Sequence, residues 1–218
     1  MRLLMLTPQF PYPPHQGTTI RNYNVIRQLA GCHEIHLLSF VEGPGQVEVG
    51  RLRAYCASIC AMTVPRRSTR DRARDTLLSR LPDMALRLES EAMHWQLGQL
   101  LTRNSYDVVQ IEGIEMGPYL LQVAGGRRPK TRGDKPLVVF DDHNCEYLLQ
   151  WRVFETDAQQ PERWTGALYS LIQWQKLARY ERRCCNAADR VVAVSEADGR
   201  ALEWLTPGLR VGVVPNGV

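Results

Sequence analysis

"PLVVFDDHNCEYLLQ", residues 136–150, passes from an apolar run to the densest polar cluster of the chain and then to a helical pattern. The run "LVVF" (137–140) does not alternate apolar with polar residues, which marks a strand covered on both faces. Asp141, Asp142, His143, Asn144 and Glu146 follow at once, and from 145 to 155 the spacing is helical. A buried strand that ends in polar residues and hands over to a helix is one step of a parallel sheet, in which ligands sit beyond the carboxyl ends of the strands.

The same step recurs along the chain. Apolar, β-branched runs fall at 3–7, 35–40, 61–64, 107–111, 190–194 and 211–214. Between them, helical spacing predicts helices at 18–30, 69–80, 89–103, 115–123, 162–187 and 196–205. In the first, Ile20, Tyr23, Ile26 and Leu29 or Ala30 form one stripe, with Thr18 or Thr19 at the start and Gly31 at the end. Strand alternating with helix predicts an α/β fold: a Rossmann-like, doubly wound, mostly parallel sheet with helices on both faces. No repeat or low-complexity stretch interrupts it, and residues 1–218 read as one domain. The segments expected to be most mobile are 125–135 and 155–163.

Composition narrows the function. The 218 residues are 44% hydrophobic and 23% charged, as in a soluble globular chain. A net charge of +4 is too mild to indicate nucleic acid. Much of the excess lies in "PRRSTRDRARD" (65–75) and "GRRPKTRGDK" (126–135), whose simplest reading is solvated surface and whose alternative is a surface for anionic lipid or nucleic acid. No transmembrane-length run or signal-peptide core is evident. Cysteines 32, 56, 60, 145, 184 and 185 lack the paired spacing of a zinc site. They read as reduced core residues of a cytoplasmic protein.

Polar residues collect after the strands. The first strand runs into "PQFPYPPHQGTT" (8–19), where Gly17 before a helix suits a phosphate and equally suits a stiffened turn. The dinucleotide fingerprint GxGxxG is absent, so no tightly bound cofactor is expected. Glu112, Gly113 and Glu115 follow the fourth run. At 141–147 two readings stand: a proton-handling site centred on His143, or a helix cap from Asp142 or Asn144 beside a structural histidine. A metal set of Asp141, Asp142, His143 and Cys145 lacks a second ligand cluster, so no metal is expected. Ser195 followed by Glu196 is first of all a helix N-cap. "PNGV" (215–218) is turn chemistry after the last strand.

Several stretches together resemble the amino-terminal domain of a family 4 glycosyltransferase, a retaining family with the two-domain GT-B fold. They are "PYPPHQGTTIRNYNVIRQLA" (11–30), "HEIHLLSF" (33–40), "YDVVQIEG" (106–113), "FDDHNCEYLLQWR" (140–152) and "YERRCCNAADRVVAVSEADGRAL" (180–202) leading into "VVPNGV". The first and last are also similar to sugar transferases of bacterial exopolysaccharide systems. The resemblance implies an acceptor-side domain, with a second, nucleotide-sugar-binding domain absent from this chain. Glu34 and Glu42 show the spacing of that second domain's paired glutamates, but they flank a strand here.

By the same resemblance, Gly17 and Thr18 approach the donor diphosphate, and His143 lies near the donor sugar and acceptor hydroxyl. Glu112, Asn144 and Glu146 position the acceptor or brace the histidine. Ser195, Glu196, Asn216 and Gly217 border the interdomain cleft. The implied partners are a nucleotide-sugar co-substrate, a glycan or lipid-linked acceptor, and a second domain supplied in trans or a second copy. The implied location is the cytoplasm, with peripheral contact at the inner face of the membrane. The rival reading is a non-catalytic, truncated or split binding module.

Overall fold

Strand β1 (Arg2–Thr7) begins the sheet, and the chain steps outward through α1 (Gly17–Leu29), β2 (Glu34–Val41), α2 (Leu52–Tyr55) and β3 (Ser58–Thr63). Three helices, α3 (Thr69–Leu78), α4 (Asp83–Arg87) and α5 (Glu91–Arg103), carry it back to β4 (Val108–Glu112) on the other side of β1. Then follow α6 (Gly117–Ala124), β5 (Leu137–Asp142), α7 (Glu146–Ala158) and α8 (Trp164–Ala187). The chain closes with β6 (Arg190–Ala193), α9 (Glu196–Leu205) and β7 (Val211–Val213). The computed structural model describes residues 1–43, 48–126 and 135–216. Gly217 and most of 125–135 therefore lie outside the described residues.

Among the described residues the sheet has seven strands, all parallel, in the order β3-β2-β1-β4-β5-β6-β7. The chain reverses direction across the sheet between β1 and β4, so the loops leaving these two strands diverge and open a crevice. Register places Glu112 beside Asp141 at the carboxyl ends of β4 and β5.

One face of the sheet is covered from end to end. Leu4, Leu6, Phe40, Val109, Phe140 and Val191 pack there against residues of α5, α6, α8 and α9 such as Met93, Tyr119, Leu177 and Leu202. Each fully buried large apolar side chain contributes about 1.5–3 kcal/mol. On the other face, Met5, Ile35 and Leu37 are covered by Tyr23 and Ile26 of α1 and Leu52 of α2. Beyond β1 that second face opens, and Gln110, Val139 and Val192 line a groove of about 900 Å³.

The expected strands are all present. Two short helices, α2 and α4, were not expected; at four and five residues they carry too little periodicity to register. Residues 155–163 are mostly helix, the end of α7 followed by a 3-10 turn over Pro161–Arg163. In α1 the buried face is Thr19, Asn22, Tyr23 and Ile26, while Ile20 is 42% exposed at the edge of the groove. The helix is turned this way because Arg21, next in sequence, is held inside by Asp141. Cys145, Cys184 and Cys185 are buried core residues, but Cys32 is exposed and Cys56 and Cys60 only half-buried.

Helix α3 buries no residue. Ion pairs hold it: Arg67 reaches Asp75 and Asp83 at 3.1 and 3.0 Å, and Arg72 reaches Asp83 at 3.3 Å. Lys176 of α8 donates to the carbonyls of Asp75 and Thr76 at 3.3 and 2.6 Å. Part of the charge in the 65–75 segment is thus balanced by its own Asp75 and by Asp83 of α4. Among the described residues, no helix is long and apolar enough to cross a membrane.

Candidate functional site

The crevice is a cavity of about 580 Å³. Its walls come from the loop after β1 (Pro8, Phe10, Tyr12, His15, Thr18), the end of β2 (Phe40, Glu42), the turn after β4 (Gly113, Glu115) and the segment after β5 (Asp142, His143, Asn144, Glu146). These are strand-end residues that a parallel sheet brings together, although they stand more than a hundred positions apart in sequence.

His143 leaves β5 where the strand stops. Its Nε2 lies 2.7 Å from Oε2 of Glu112, and Glu112 Oε1 accepts from Gln110 Nε2 at 2.5 Å. Glu112 is fully buried, so a carboxylate with both oxygens occupied fixes the ring. With Nε2 donating to that carboxylate, Nδ1 is the ring's acceptor. Gly113 turns the chain beside the ring: its φ of 80° suits glycine, and a Cβ there would crowd Glu115 Oε2 at 3.1 Å while only touching Nδ1 at 3.7 Å. Burial pulls the imidazole pKa down, but the hydrogen bond to Glu112 and the charges of Glu112 and Asp141 outweigh it and raise the pKa above its ordinary value.

Behind His143, Arg21 Nη2 donates to Asp141 Oδ2 at 2.7 Å, and both side chains are almost wholly buried. Arg21 Nη1 also reaches the Val214 carbonyl at 3.0 Å and Asn216 Oδ1 at 2.9 Å. One guanidinium thereby ties α1, β5 and the segment after β7 together. Burial, then repulsion from Glu112, pushes the Asp141 carboxyl up to about 6 against the pull of Arg21 and His143.

The carboxyl of Asp142 is buried, and no donor among the described residues reaches either oxygen. Burial and the neighbouring Glu181 carboxylate push its pKa well up. Glu181, inside α8, accepts from the backbone N–H groups of Glu146 and Tyr147 at 2.8 and 2.9 Å. It therefore supplies from a distant helix the cap that α7 needs. Neither Asp142 nor Asn144 caps α7; Asn144 is exposed and its Nδ2 lies 3.4 Å from Glu146 Oε1. Burial and the nearby Glu115 and Glu181 push Glu146 up to about 7.

The structure brings His143, Asn144, Glu146 and Thr18 to one cavity, with Glu112 directly behind the histidine. Gly17 is the first residue of α1 and faces the groove instead, so the pair Gly17–Thr18 forms the ridge between cavity and groove. Thr19 Oγ1 accepts from the N–H groups of Gln16 and His15 at 3.0 and 3.3 Å, and the cap of α1 is Gln16, two or three residues before the expected Thr18 or Thr19. Asn216 lies at the groove. Ser195 and Glu196 line neither space; Ser195 Oγ caps α9 by accepting from Asp198 N–H at 3.1 Å.

Of the metal-ligand set weighed from sequence, only Asp141 and His143 come together, joined by Glu112, with ligand atoms within 4.8 Å of one another. Arg21 already occupies Asp141 Oδ2, and Glu112 and His143 occupy each other, so the residues present fit an internally neutralised cluster better than a cation. Arg21 and Glu181 went unrecognised in the sequence. The available signal was a charged residue set among buried ones: Arg21 beside Tyr23 and Ile26, Glu181 beside Leu177 and Cys184.

Comparison with known proteins agrees with this architecture. A family model described as Glycosyltransferase Family 4 matches residues 16–218. Among solved structures, Phytolacca americana UGT2 complexed with UDP-2fluoro-glucose and pterostilbene superposes with a TM-score of 0.52 at 11% identity, over 99% of this chain and 53% of that one. Apo UGT2 of the same plant gives a TM-score of 0.46 at 11% identity, over 100% of this chain and 52% of that one. The chain thus spans about half the length of these structures, and at such identity the first likeness speaks for the fold alone. No curated protein matches the chain. With residues 16–218, nearly its whole length, matched by one family model, the chain belongs to glycosyltransferase family 4.

Proposed function

We propose that the chain is the acceptor-side domain of a retaining glycosyltransferase, which moves a hexosyl group from a nucleotide-sugar to a glycan or lipid-linked acceptor in polysaccharide or glycolipid biosynthesis. The observation that carries this reading is the braced histidine: His143, held by the buried Glu112, at a cavity formed where β1, β4 and β5 end. In this reading the acceptor enters that cavity and its reacting hydroxyl donates to His143 Nδ1. Glu112 fixes the ring and favours its taking a proton, while Asn144 and Glu146 hold neighbouring hydroxyls. The Gly17–Thr18 ridge, at the amino terminus of α1, receives the donor diphosphate, where backbone N–H groups and the helix dipole offset the leaving charge. No side chain is assigned as a covalent nucleophile; the contribution is positioning and charge stabilisation.

The donor's remaining contacts belong to a second domain, joined in sequence or supplied in trans. The protein works in the cytoplasm, and a lipid-linked acceptor brings it to the inner membrane face. The test is sugar transfer and calorimetric donor binding by this chain, alone and with a candidate second domain. Turnover is expected only with both, and His143→Ala is expected to lower kcat by about 100-fold or more. Unchanged turnover in that variant would overturn the role of His143, and absence of donor binding in every combination would favour the non-catalytic binding module.

A further inference from the structure

The acceptor cavity has an uneven inventory of charge. Glu42, Glu48, Glu115, Asp142 and Glu146 line it, and Arg87 is the one Lys or Arg among its described lining residues. Arg87 is itself engaged, with Nη1 3.8 Å from Glu115 Oε1. Of the two lining histidines, His143 is turned to Glu112, and His15 Nδ1 lies 2.6 Å from the Pro13 carbonyl. The carboxyl of Asp142, only 1% exposed, lines the same space with neither oxygen partnered by a donor.

Ionised carboxyl groups accept hydrogen bonds and give none. Glu42, Glu48 and Glu115 carry this character, whereas Asp142 and Glu146, whose carboxyls burial and neighbouring carboxylates push up, hold protons near neutral pH and add less charge to the walls. A molecule filling this cavity must therefore bring donors, as sugar hydroxyls and ammonium groups do. A phosphate or carboxylate brings further acceptors and a charge of the same sign as the walls. The apolar flank formed by Pro8, Phe10 and Tyr12 suits the C–H face of a pyranose and does nothing for an anion.

We infer that the cavity is specific for a non-anionic acceptor sugar, favours an amino substituent, and excludes a sugar that carries phosphate or carboxylate at the contacted ring. This rests on reading the cavity as the acceptor side. Anionic parts of a longer acceptor, such as a lipid-linked diphosphate, then lie outside it.

The test is a ¹H–¹⁵N NMR titration of the chain with methyl glucoside, methyl 2-amino-2-deoxyglucoside, methyl glucuronide and glucose 6-phosphate, following the amides of Glu115, His143 and Glu146. The amino sugar is expected to bind at least threefold tighter than the neutral one, and the two anions at least tenfold weaker. In Glu42→Gln/Glu115→Gln the gap between glucose 6-phosphate and methyl glucoside should narrow at least threefold, and it should also narrow as salt is raised. An anion that binds as tightly as the neutral sugar, or a gap unmoved in the double variant, overturns the charge selectivity and leaves the acceptor reading standing. If no glycoside shifts these amides, the acceptor reading itself fails, and the selectivity with it.

Discussion

Replacing Arg21 by Met removes the guanidinium that is hydrogen-bonded to Asp141 while keeping most of the stem's apolar volume. Both side chains are nearly dry, 6% and 4% exposed, and the contact is 2.7 Å. Breaking such a pair from one side costs about 3–5 kcal/mol, because the remaining charge is buried without compensation. The loss of the bonds to the Val214 carbonyl and Asn216 falls within that range. The cost should depend on pH, since Asp141 is already pushed up to about 6 by burial and by Glu112. Without Arg21 its pKa rises further, and a carboxyl whose folded pKa is raised loses stability as pH climbs through that value. The penalty therefore grows from pH 6 upward, by at most about 1.4 kcal/mol per pH unit, through the range in which the variant's carboxyl is protonated and the parent's ionised. Urea denaturation of the parent, Arg21→Met, Asp141→Asn and the double variant at pH 6, 7 and 8 measures this. With Asp141→Asn in place, Arg21→Met should cost no more than about 1.5 kcal/mol, because no buried charge is then orphaned. A loss below 1 kcal/mol at pH 8, or an equal loss in the Asp141→Asn background, would refute the reasoning.

Two other outcomes are expected. Gly17 has ordinary helical surroundings, and a Cβ there would meet nothing within 4 Å; Gly17→Ala should therefore leave the domain as stable or raise it by about 0.4–1 kcal/mol, seen as a higher denaturation midpoint. In a complete enzyme the same variant should weaken donor binding at least tenfold, and unchanged donor affinity would remove the ridge from the diphosphate site. Glu146, pushed up to about 7 from an ordinary 4.5, adds stability that is full below pH 4.5 and is lost as pH rises through 7. Glu146→Gln should therefore flatten the fall in thermal midpoint between pH 5 and pH 8, and an unchanged profile would show that this carboxyl does not titrate there.

How far the sequence could be read differs between the sheet and the site. Runs such as "LLMLT" and "LVVF" were legible as strands from their length, their apolar, β-branched content and the turn residues around them, but the coverage of both faces that they suggested holds for "LLMLT" and not for "LVVF", where Val139 lines the open groove and Leu137 is 39% exposed. The polar cluster at 141–147 was equally visible, since a strand end crowded with Asp, His and Asn costs free energy unless something satisfies it. What satisfies it was not visible. Asp142 or Asn144 looked like the cap of α7 from spacing alone, yet Glu181, over thirty positions away, provides it. Ile20 looked like core because it continues an apolar stripe, yet the ion pair of its neighbour Arg21 turns the helix so that Ile20 faces the groove.

Strand identity, helix spacing and the order of elements are properties of neighbours along the chain, so the sequence by itself determined a parallel α/β domain and the loops that would carry its chemistry. Which loop residues meet is a property of strand order and register. Only the tertiary structure placed Glu112 beside Asp141 and behind His143, joined Arg21 to Asp141, and left Ser195 as a cap away from the cavity. The physical reason is that hydrogen bonds and ion pairs between distant segments form only after the sheet has brought their ends within about 3 Å, a distance no local pattern encodes.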